Sequence, residues 1–329
     1  MIIEKVKKYF KSKKIIVTGG TGLIGRNVVS KLCHYGAKVT VVSLDKIKGD
    51  KRAKYIFGDL TDFEFCRKIT KNKDFAFHMA GIKGSVKVTI EKPASFFVPL
   101  IMMNTNFLEA CRINKVKRLV YTSSIGAYSS REIFREEDAN FNEQPMDMYP
   151  GWAKRMAELQ ILSYKKQYNL KNFFVVRPCN VYGPGDNFDP KNAMVIPSLM
   201  NRIYNKEDPV NIWGDGSAIR DFAFSEDIAD GVILTLYKGT GKLNFLNLGS
   251  GKGVTLMKLV STLSQIVKFN YKFDNSKPSG FPKRIMDINN AKKILGYRPM
   301  NSLKDGLRKT WNWYIKNYNE NKKRHNYFK

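Results

Sequence analysis

A glycine-rich loop near the amino terminus constrains the fold of this chain more than any other feature of its sequence. The loop follows an apolar run, residues 15–17, and carries its glycines three apart at Gly19, Gly22 and Gly25. Apolar residues then recur four apart, as on one face of a helix, at Ile24, Val28 and Leu32. A strand, a glycine turn and a helix in this order place backbone N–H groups where they can hold a pyrophosphate. The loop therefore predicts a dinucleotide site, and a turn without a ligand is the weaker alternative.

The first half of the chain repeats this alternation of short apolar runs and amphipathic stretches, which is typical of a parallel sheet wrapped by helices. The predicted strands are Lys14–Thr18, Ala37–Ser43, Tyr55–Phe57, Asp74–Met79, Arg118–Ser123 and Phe173–Arg177. The predicted helices are Leu23–Tyr35, a long helix through residues 97–111, and Trp152–Lys166. We therefore expect an α/β fold built on a Rossmann-type doubly wound parallel sheet.

Beyond residue 180 the rhythm becomes irregular, with loops rich in Gly, Pro, Asn and Asp. This predicts a smaller mixed α/β lobe that binds the substrate over the carboxyl ends of the sheet, where open α/β sheets bind their ligands. We expect the dinucleotide-binding domain to cover residues 1–178 and the lobe to cover residues 179–329, with some of the later chain returning to the sheet. The first ten residues are expected to form a short helical extension of unassigned role.

Composition argues against several classes of protein. The amino terminus becomes charged too early for a secretory signal and no apolar run is long enough to span a bilayer, so we expect a cytoplasmic protein without a membrane partner. The four cysteines lack metal-ligand spacing and the three histidines lie far apart, so no metal site is predicted. Cys33 and Cys111 are interpreted as buried free thiols, which fits a reducing compartment.

The net charge of +28 has two interpretations. One is binding to nucleic acid or to a membrane surface. The other is a lysine-rich protein that handles an anionic cofactor and substrate. Because the basic residues are spread along the whole chain rather than gathered in one arm, we favour the second interpretation and expect no nucleic-acid partner.

Residues after the other strands extend the predicted cofactor site. Leu23 and Ile24 open the first helix beside the pyrophosphate. Asp59 and Leu60 follow the third strand, where the carboxylate is predicted to bind the adenine amino group and the leucine to pack on the ring. The alternative is that Asp59 or Thr61 caps the next helix.

The end of the second strand bears on which nicotinamide cofactor is used. An acid there binds the ribose 2′-hydroxyl of NAD, and the matching place falls near Ser43, with Asp45 two residues later. Lys46 and Lys48 leave NADP, with its 2′-phosphate, as the alternative. Ala80 follows the fourth strand, where a small residue lets the backbone line the cofactor. We expect NAD.

Several motifs together resemble the extended short-chain dehydrogenase/reductase family, also called the NAD-dependent epimerase/dehydratase family. The most specific of them lie at residues 177–188, 195–197, 213–216, 220–222 and 276–283. The resemblance covers nearly the whole chain and is greatest to members in which these stretches build the pocket for a GDP moiety. It implies a GDP-linked sugar as substrate and these substrate-binding residues: Asn180, Val195, Trp213, Arg220 and Lys283. Arg220 suits a bidentate phosphate contact, and ordinary packing is the alternative for each residue.

The resemblance also implies a catalytic serine or threonine, a tyrosine and a lysine in a Tyr-x-x-x-Lys pattern. Ser124 and Lys154 match the serine and the lysine, although a serine that merely caps a turn is the alternative for Ser124. The position four before Lys154 is Pro150, so the available phenol, Tyr149, is displaced by one residue. We interpret Pro150 as the first residue of its helix, with Tyr149 just outside. Tyr149 is the candidate proton acceptor, and Ser124, a water or Asp147 are alternatives.

Two further positions depart from the family's pattern. Members that epimerise a keto sugar carry a Cys and a His where this chain has Gly126 and Met194, and neither residue can move a proton. We therefore expect an NAD-dependent oxidoreductase that transfers a hydride at C4 of a sugar of the GDP-mannose or GDP-manno-heptose type. The alternatives are a nucleotide-sugar 4-epimerase that retains its NAD and a catalytically impaired NAD(H)-binding protein. A homo-oligomer, either a dimer or a tetramer, is expected.

Overall fold

The computed structural model describes residues 2–82, 84, 86–189, 191–241 and 244–321. Its strands are β1 (Lys14–Thr18), β2 (Lys38–Ser43), β3 (Lys54–Phe57), β4 (Phe75–His78), β5 (Arg118–Thr122), β6 (Ile133–Phe134), β7 (Phe173–Pro178), β8 (Asn180–Tyr182), β9 (Val210–Trp213), β10 (Ile219–Phe224), β11 (Leu246–Leu248), β12 (Gly253–Thr255), β13 (Tyr271–Asp274) and β14 (Lys283–Met286).

The helices of the described residues lie between these strands. They are α1 (Ile2–Phe10), α2 (Gly25–His34), α3 (Phe63–Thr70), α4 (Val86–Glu91), α5 (Pro93–Ile113), α6 (Met148–Tyr168), α7 (Val195–Tyr204), α8 (Ser225–Lys238), α9 (Leu256–Ser264), α10 (Leu303–Lys316) and α11 (Tyr318–Asn321). Short 3₁₀ turns cover Ile125–Ala127 and Glu136–Asp138, and a π-helical turn covers Ala291–Leu295. None of the helices in the described ranges is both long and apolar enough to cross a bilayer.

A seven-stranded parallel sheet in the order β11-β7-β5-β4-β1-β2-β3 forms the centre of the fold, which confirms the predicted Rossmann-type architecture. Parallel neighbours need crossover connections, and the helices that supply them cover the sheet: α2 contacts α8, while α5 contacts both α3 and α6. The central strands are therefore apolar on both faces, and residues 15–17 of β1 are fully buried.

Helix α1 gives residues 2–10 a structural role. Val6 and Phe10 are buried, and the ring of Tyr9 stacks on Phe75 at a centroid distance of 5.3 Å. Because Phe75 is the first residue of β4, the helix covers the amino end of the sheet, where it also contacts α8. The predicted helical extension is confirmed, and it belongs to the hydrophobic core.

The later part of the chain builds a second apolar core beside the sheet. Strands β12, β10, β14 and β6 form a separate sheet in that order, with β8 paired to β10, and β13 pairs with β9. The second core contains residues from α7, α9 and α10, among them Leu199, Leu259 and Leu307. Strand β11 returns to the edge of the large sheet beside β7. All four cysteines are buried free thiols, as expected for Cys33 and Cys111.

Helix α6 differs from its prediction at its first turn. It begins at Met148 rather than at Trp152, and its N-cap is Asp147. The interpretation of Pro150 as the first helical residue is wrong, since Pro150 is the third. A proline is tolerated there because the N–H groups of the first turn have no intrahelical acceptor in any case. Tyr149, expected just outside the helix, is therefore its second residue.

Candidate active site

A cleft of about 1220 Å³ lies along the carboxyl ends of the central strands and continues between the sheet and the later part of the chain. Strand β1 pairs with β2 on one side and with β4 on the other. The chain therefore continues from β1 toward one edge of the sheet and from β4 toward the other edge, and the cleft lies between these two connections. Open α/β sheets bind ligands at such a point. The segments that line the cleft follow β1, β4, β5 and β7, and the start of α7 completes it.

The glycine loop forms one end of the cleft, and its backbone is packed too closely for side chains. Gly19 has a φ of +64°, and a Cβ there would lie 2.7 Å from the backbone nitrogen of Ala80. A Cβ on Gly25 would lie 2.2 Å from the carbonyl oxygen of Gly19. At Gly22, by contrast, a Cβ would meet only the Gly19 oxygen, at 3.2 Å, and this residue lines the cleft. The loop therefore leaves an open cradle at Gly22.

The first turn of α2 adds backbone donors to this cradle. Leu23 and Ile24 line the cleft, and Ile24 is the N-cap, whose apolar side chain accepts no hydrogen bond from the turn. The N–H groups of Arg26 and Asn27 donate to the carbonyl oxygens of Gly22 and Ile24 at 3.1 Å, and a phosphate oxygen is a suitable acceptor for the N–H groups that precede them. The open cradle and the uncapped helix start therefore fit the pyrophosphate of a dinucleotide.

Hydroxyl and carboxylate groups meet at the end of β2. Ser43 Oγ lies 2.8 Å from Thr21 Oγ1 and accepts a hydrogen bond from the backbone N–H of Asp45 at 3.1 Å. The Thr21 hydroxyl also lies 3.5 Å from Asp45 Oδ2. All three residues line the cleft, whereas the exposed Lys46 and Lys48 lie outside its lining. At the end of β2 the cleft is thus lined by acceptors for a ribose hydroxyl and not by Lys46 or Lys48.

Asp59 and Leu60 line the same end of the cleft. Asp59 Oδ1 accepts a hydrogen bond from the backbone N–H of Thr61 at 2.9 Å and thereby fixes the turn after β3. The N-cap of α3 is Asp62, which accepts from the N–H of Phe65 at 3.1 Å. The alternative in which Asp59 or Thr61 caps the helix is therefore wrong, because Asp62 makes the capping hydrogen bond.

A chain of buried polar groups behind the cleft was not anticipated from the sequence. Thr18 Oγ1 accepts from the backbone N–H of Ala80 at 3.2 Å and lies 2.7 Å from His78 Nδ1. His78 Nε2 lies 3.0 Å from Asn104 Oδ1, and Asn104 donates to the Tyr121 hydroxyl at 3.0 Å. Burial lowers the pKa of His78 to about 3, so the ring is neutral. This series of hydrogen-bonded side chains fixes the backbone at Ala80, which lines the cleft.

Ser124 lies two residues beyond β5 in the wall of the cleft. It is the N-cap of the 3₁₀ turn at residues 125–127, and its Oγ accepts from the backbone N–H of Gly126 at 3.0 Å. The turn-capping interpretation thus describes its contact. It does not exclude the catalytic prediction, because the hydroxyl retains its own proton for donation into the cleft.

Lys154 lies on the floor of the cleft, where β4 and β5 end. Its Nζ donates to the carbonyl oxygen of Thr122 at 2.8 Å and lies 5.0 Å from the centre of the Tyr121 ring. A Cβ on Gly81, across the floor, would lie 3.5 Å from this ammonium. Burial lowers the pKa of Lys154 to about 8, and the charge of Glu158 opposes that effect. The ammonium can therefore contact a ligand that rests on the glycine loop and Ala80.

Tyr149 also lines the cleft, but from another side of α6. It precedes Lys154 by five residues, which corresponds to a rotation of about 140° around a helix. Its ring packs edge-on against Phe97 of α5 at a centroid distance of 6.2 Å. The structure therefore does not align this phenol with Lys154 along α6.

The residues predicted to bind the substrate divide into two groups. Asn180, which donates to the carbonyl of Asp221 at 3.2 Å, and Val195, the first residue of α7, both line the cleft. Trp213, Arg220 and Lys283 lie outside its lining. Trp213 is 64% exposed, Arg220 donates to two backbone carbonyls at 2.9 and 2.6 Å, and Lys283 forms an ion pair of 3.7 Å at the surface.

Arg284, next to Lys283, is the cation that β14 supplies to the cleft. Neighbouring residues of a strand point to opposite sides, so a shift of one position decides which cation faces a ligand. The buried Nε of Arg284 has no hydrogen-bond partner in the described part of the chain. Asp147 lines the cleft as well. Side-chain alternation along β14 could have indicated Arg284 as a cleft residue. That inference requires the register of β14 against its neighbours, which the sequence did not provide.

Comparison with known protein families shows which family has this fold and cleft. The sequence profile of the NAD dependent epimerase/dehydratase family matches residues 15–249, which run from β1 to just past β11. The chain belongs to this family. Members of the NAD-dependent epimerase/dehydratase family modify nucleotide-linked sugars with NAD(P), and this chain is an enzyme of that class.

Individual relatives agree over nearly the whole length. GDP-L-fucose synthase 1 from Arabidopsis thaliana is 30% identical over 317 residues, or 93% of this chain and 94% of the relative. A solved epimerase from Methanothermobacter thermautotrophicus shares the fold with a TM-score of 0.87, at 24% identity over 98% of both chains. A UDP-glucose 4-epimerase from Thermotoga maritima gives a TM-score of 0.80 at 29% identity, over 92% of this chain and 99% of that one. This chain therefore shares the family's fold over most of its length.

Proposed function

We propose that this protein is an NAD-dependent oxidoreductase that transfers a hydride at C4 of a GDP-linked sugar of the GDP-mannose or GDP-manno-heptose type. The observation that carries the proposal is the single cleft that joins the glycine cradle to Lys154 and Ser124, and continues to Asn180 and Arg284. Bound NAD supplies the hydride acceptor. Lys154 holds the ribose beside it, Ser124 donates a hydrogen bond to the sugar oxygen, and Arg284 neutralises the substrate diphosphate.

The residues at positions 126 and 194 favour oxidation or reduction over epimerisation of a keto sugar. Gly126 and Met194 both line the cleft, and neither carries a group that can exchange a proton with a sugar carbon. The similarity to GDP-L-fucose synthase supports GDP as the nucleotide moiety of the substrate. The Ser43–Thr21–Asp45 contacts support NAD over NADP, and the buried thiols fit a cytoplasmic enzyme.

A second candidate is a nucleotide-sugar 4-epimerase that retains its NAD and returns the hydride to the other face of the sugar. The likeness to the UDP-glucose 4-epimerase favours it. A third, a protein that binds NAD(H) without catalysis, is supported by Pro150 at the position of the family's tyrosine. NADH that leaves the enzyme during turnover would point to the oxidoreductase, and NADH that stays bound would point to the epimerase.

A thermal-shift panel tests the proposal directly. We expect NAD to raise Tm more than NADP does, and GDP-linked sugars to raise it more than UDP- or dTDP-linked sugars. The nucleotide sugars that bind are then incubated with NAD, and absorbance at the reduced nicotinamide band is followed. A protein that takes up no nicotinamide dinucleotide, or that never reduces NAD with any of the sugars, contradicts the assignment.

A further inference from the structure

The oxidation proposed above needs a base for the hydroxyl proton, and the cleft has no tyrosine at the position four before Lys154. We propose that the Asp147 carboxylate is this base. The inference rests on the proposed function. In the step, the sugar hydroxyl gives its proton to Asp147, its carbon gives a hydride to NAD, and the C–O bond becomes a carbonyl. The proton then passes from Asp147 to water.

The position of Asp147 at the N-cap of α6 is the first observation. It precedes Lys154 by seven residues, so its Cα lies about 20° from that of Lys154 around the helix and about 10 Å further along the axis. Tyr149, at about 140°, does not share that side. Asp147 and Lys154 can therefore contact two ends of one sugar ring, with Ser124 in the same wall of the cleft.

The contact with Gly126 is the second observation. A Cβ on Gly126 would lie 2.1 Å from Asp147 Oδ2, so the carboxyl group occupies the space that a side chain at position 126 would need. The backbone N–H of Asp147 also donates to the Gly126 carbonyl at 3.1 Å. Because Ser124 Oγ accepts from the Gly126 N–H, one turn fixes both the carboxylate and the serine hydroxyl.

The third observation is that the carboxylate is available. Asp147 is exposed, and its exposed surface belongs to the wall of the cleft. Although it is the N-cap of α6, its side chain accepts no hydrogen bond from the helix or from any other described residue. Desolvation of the carboxyl group raises the pKa of Asp147, and the charge of Arg284 opposes that effect. A carboxylate with a raised pKa is a stronger base.

The two other candidates have weaker geometry. The Ser124 hydroxyl oxygen already accepts a hydrogen bond from the Gly126 N–H. A serine also needs a base of its own before it can take a proton. Tyr149 packs its ring edge-on against Phe97 and lies on another side of α6 from the ammonium that would favour its phenolate.

The test is Asp147→Asn in the full-length enzyme, which preserves the shape and removes the base. With the nucleotide sugar that wild type oxidises in the panel, GDP-mannose being tried first, we expect the single-turnover rate of NADH formation to fall at least 100-fold. Tm and the thermal shifts with NAD and GDP-mannose should stay at wild-type values, because this side chain caps nothing. Asp138→Asn, outside the lining of the cleft, is the matched control and should keep the wild-type rate.

Gly126→Ala supplies a second variant that keeps the carboxylate but forces it to move. We expect it to bind both ligands and to lose at least 10-fold of the rate. Asp147→Asn with an unchanged rate overturns the inference, most directly if Tyr149→Phe is then inactive. Asp147→Asn that still forms NADH but no longer exchanges sugar C–H with deuterated solvent also overturns it, since the carboxylate would act on carbon. Wild type inactive on every nucleotide sugar overturns the proposed function as well.

Discussion

At the scale of single residues, the environment of Lys154 decides the alkaline side of the reaction. The ammonium donates to one backbone carbonyl and lies over an aromatic ring, and burial brings its pKa down to about 8. A lysine holds its charge below its pKa and loses it as the pH rises. The contact to the ribose hydroxyls is thus strongest on the acid side of pH 8 and weakens above it.

We therefore expect kcat/KM for NAD-dependent oxidation to fall as the pH rises through about 8, since this parameter reports the free enzyme. Lys154→Ala should lower the rate of NADH formation at least 100-fold, roughly the contribution of one positioned acid–base group. Initial rates between pH 6 and 10 measure both effects. Lys166→Ala, exposed on the same helix, should keep the wild-type profile, and a Lys154→Ala enzyme with full activity would contradict the assignment.

At the scale of elements, the strand–loop–helix unit of β1 and α2 separates stability from cofactor binding. Gly25→Ala would push a Cβ to 2.2 Å from a backbone oxygen, and overpacking of this kind costs about 1–3 kcal/mol. Gly22→Ala meets only one atom, at 3.2 Å, but fills the cradle.

We expect Gly25→Ala to lower Tm by several degrees and Gly22→Ala to leave Tm of the free protein near the wild-type value. Gly22→Ala should nevertheless weaken NAD binding at least 10-fold, because its Cβ enters the space of the pyrophosphate. Calorimetric unfolding and NAD titration measure the two effects. Equal loss of Tm in both variants would mean that Gly22 serves packing alone.

Local patterns located these elements because apolar runs and helical spacing are encoded over a few residues. The predicted and observed bounds of β1 coincide, and those of the other predicted strands differ by one residue at most at each end. What failed depended on contacts between distant segments. The start of α6 was misplaced because proline is compatible with more than one first-turn position. Arg284 was not predicted because the register of β14 is set by its partners β10 and β6, and Lys283, outside the lining of the cleft, stays a prediction.

At the scale of the whole molecule, we expect the formal charge of +28 to attract polyanions through basic residues spread along the chain rather than through a defined nucleic-acid surface. Basic residues distributed over a surface attract any polyanion at low salt, and that attraction weakens steeply as counterions compete. Binding in a cleft with fixed hydrogen bonds depends on salt much less.

We expect duplex DNA to bind this protein only at low ionic strength and to be released near 0.15 M salt, a physiological value. The thermal shift with a GDP-linked sugar should persist at the same salt. Fluorescence anisotropy with labelled DNA, beside the thermal shift, measures the contrast from about 0.02 to 0.3 M salt. DNA binding that survives 0.3 M salt would favour the nucleic-acid interpretation of the charge.

The neutral ring of His78 has a consequence for the enzyme's acid side. Imidazoles are the usual source of ionisations around pH 6 in enzymes, and this one lies directly behind the end of β4. With a pKa of about 3 and both nitrogens in contact with polar neighbours, it cannot contribute to a kinetic titration under ordinary assay conditions. Across the pH range of an ordinary assay it instead holds the Thr18 hydroxyl and the Asn104 amide in fixed orientations behind Ala80.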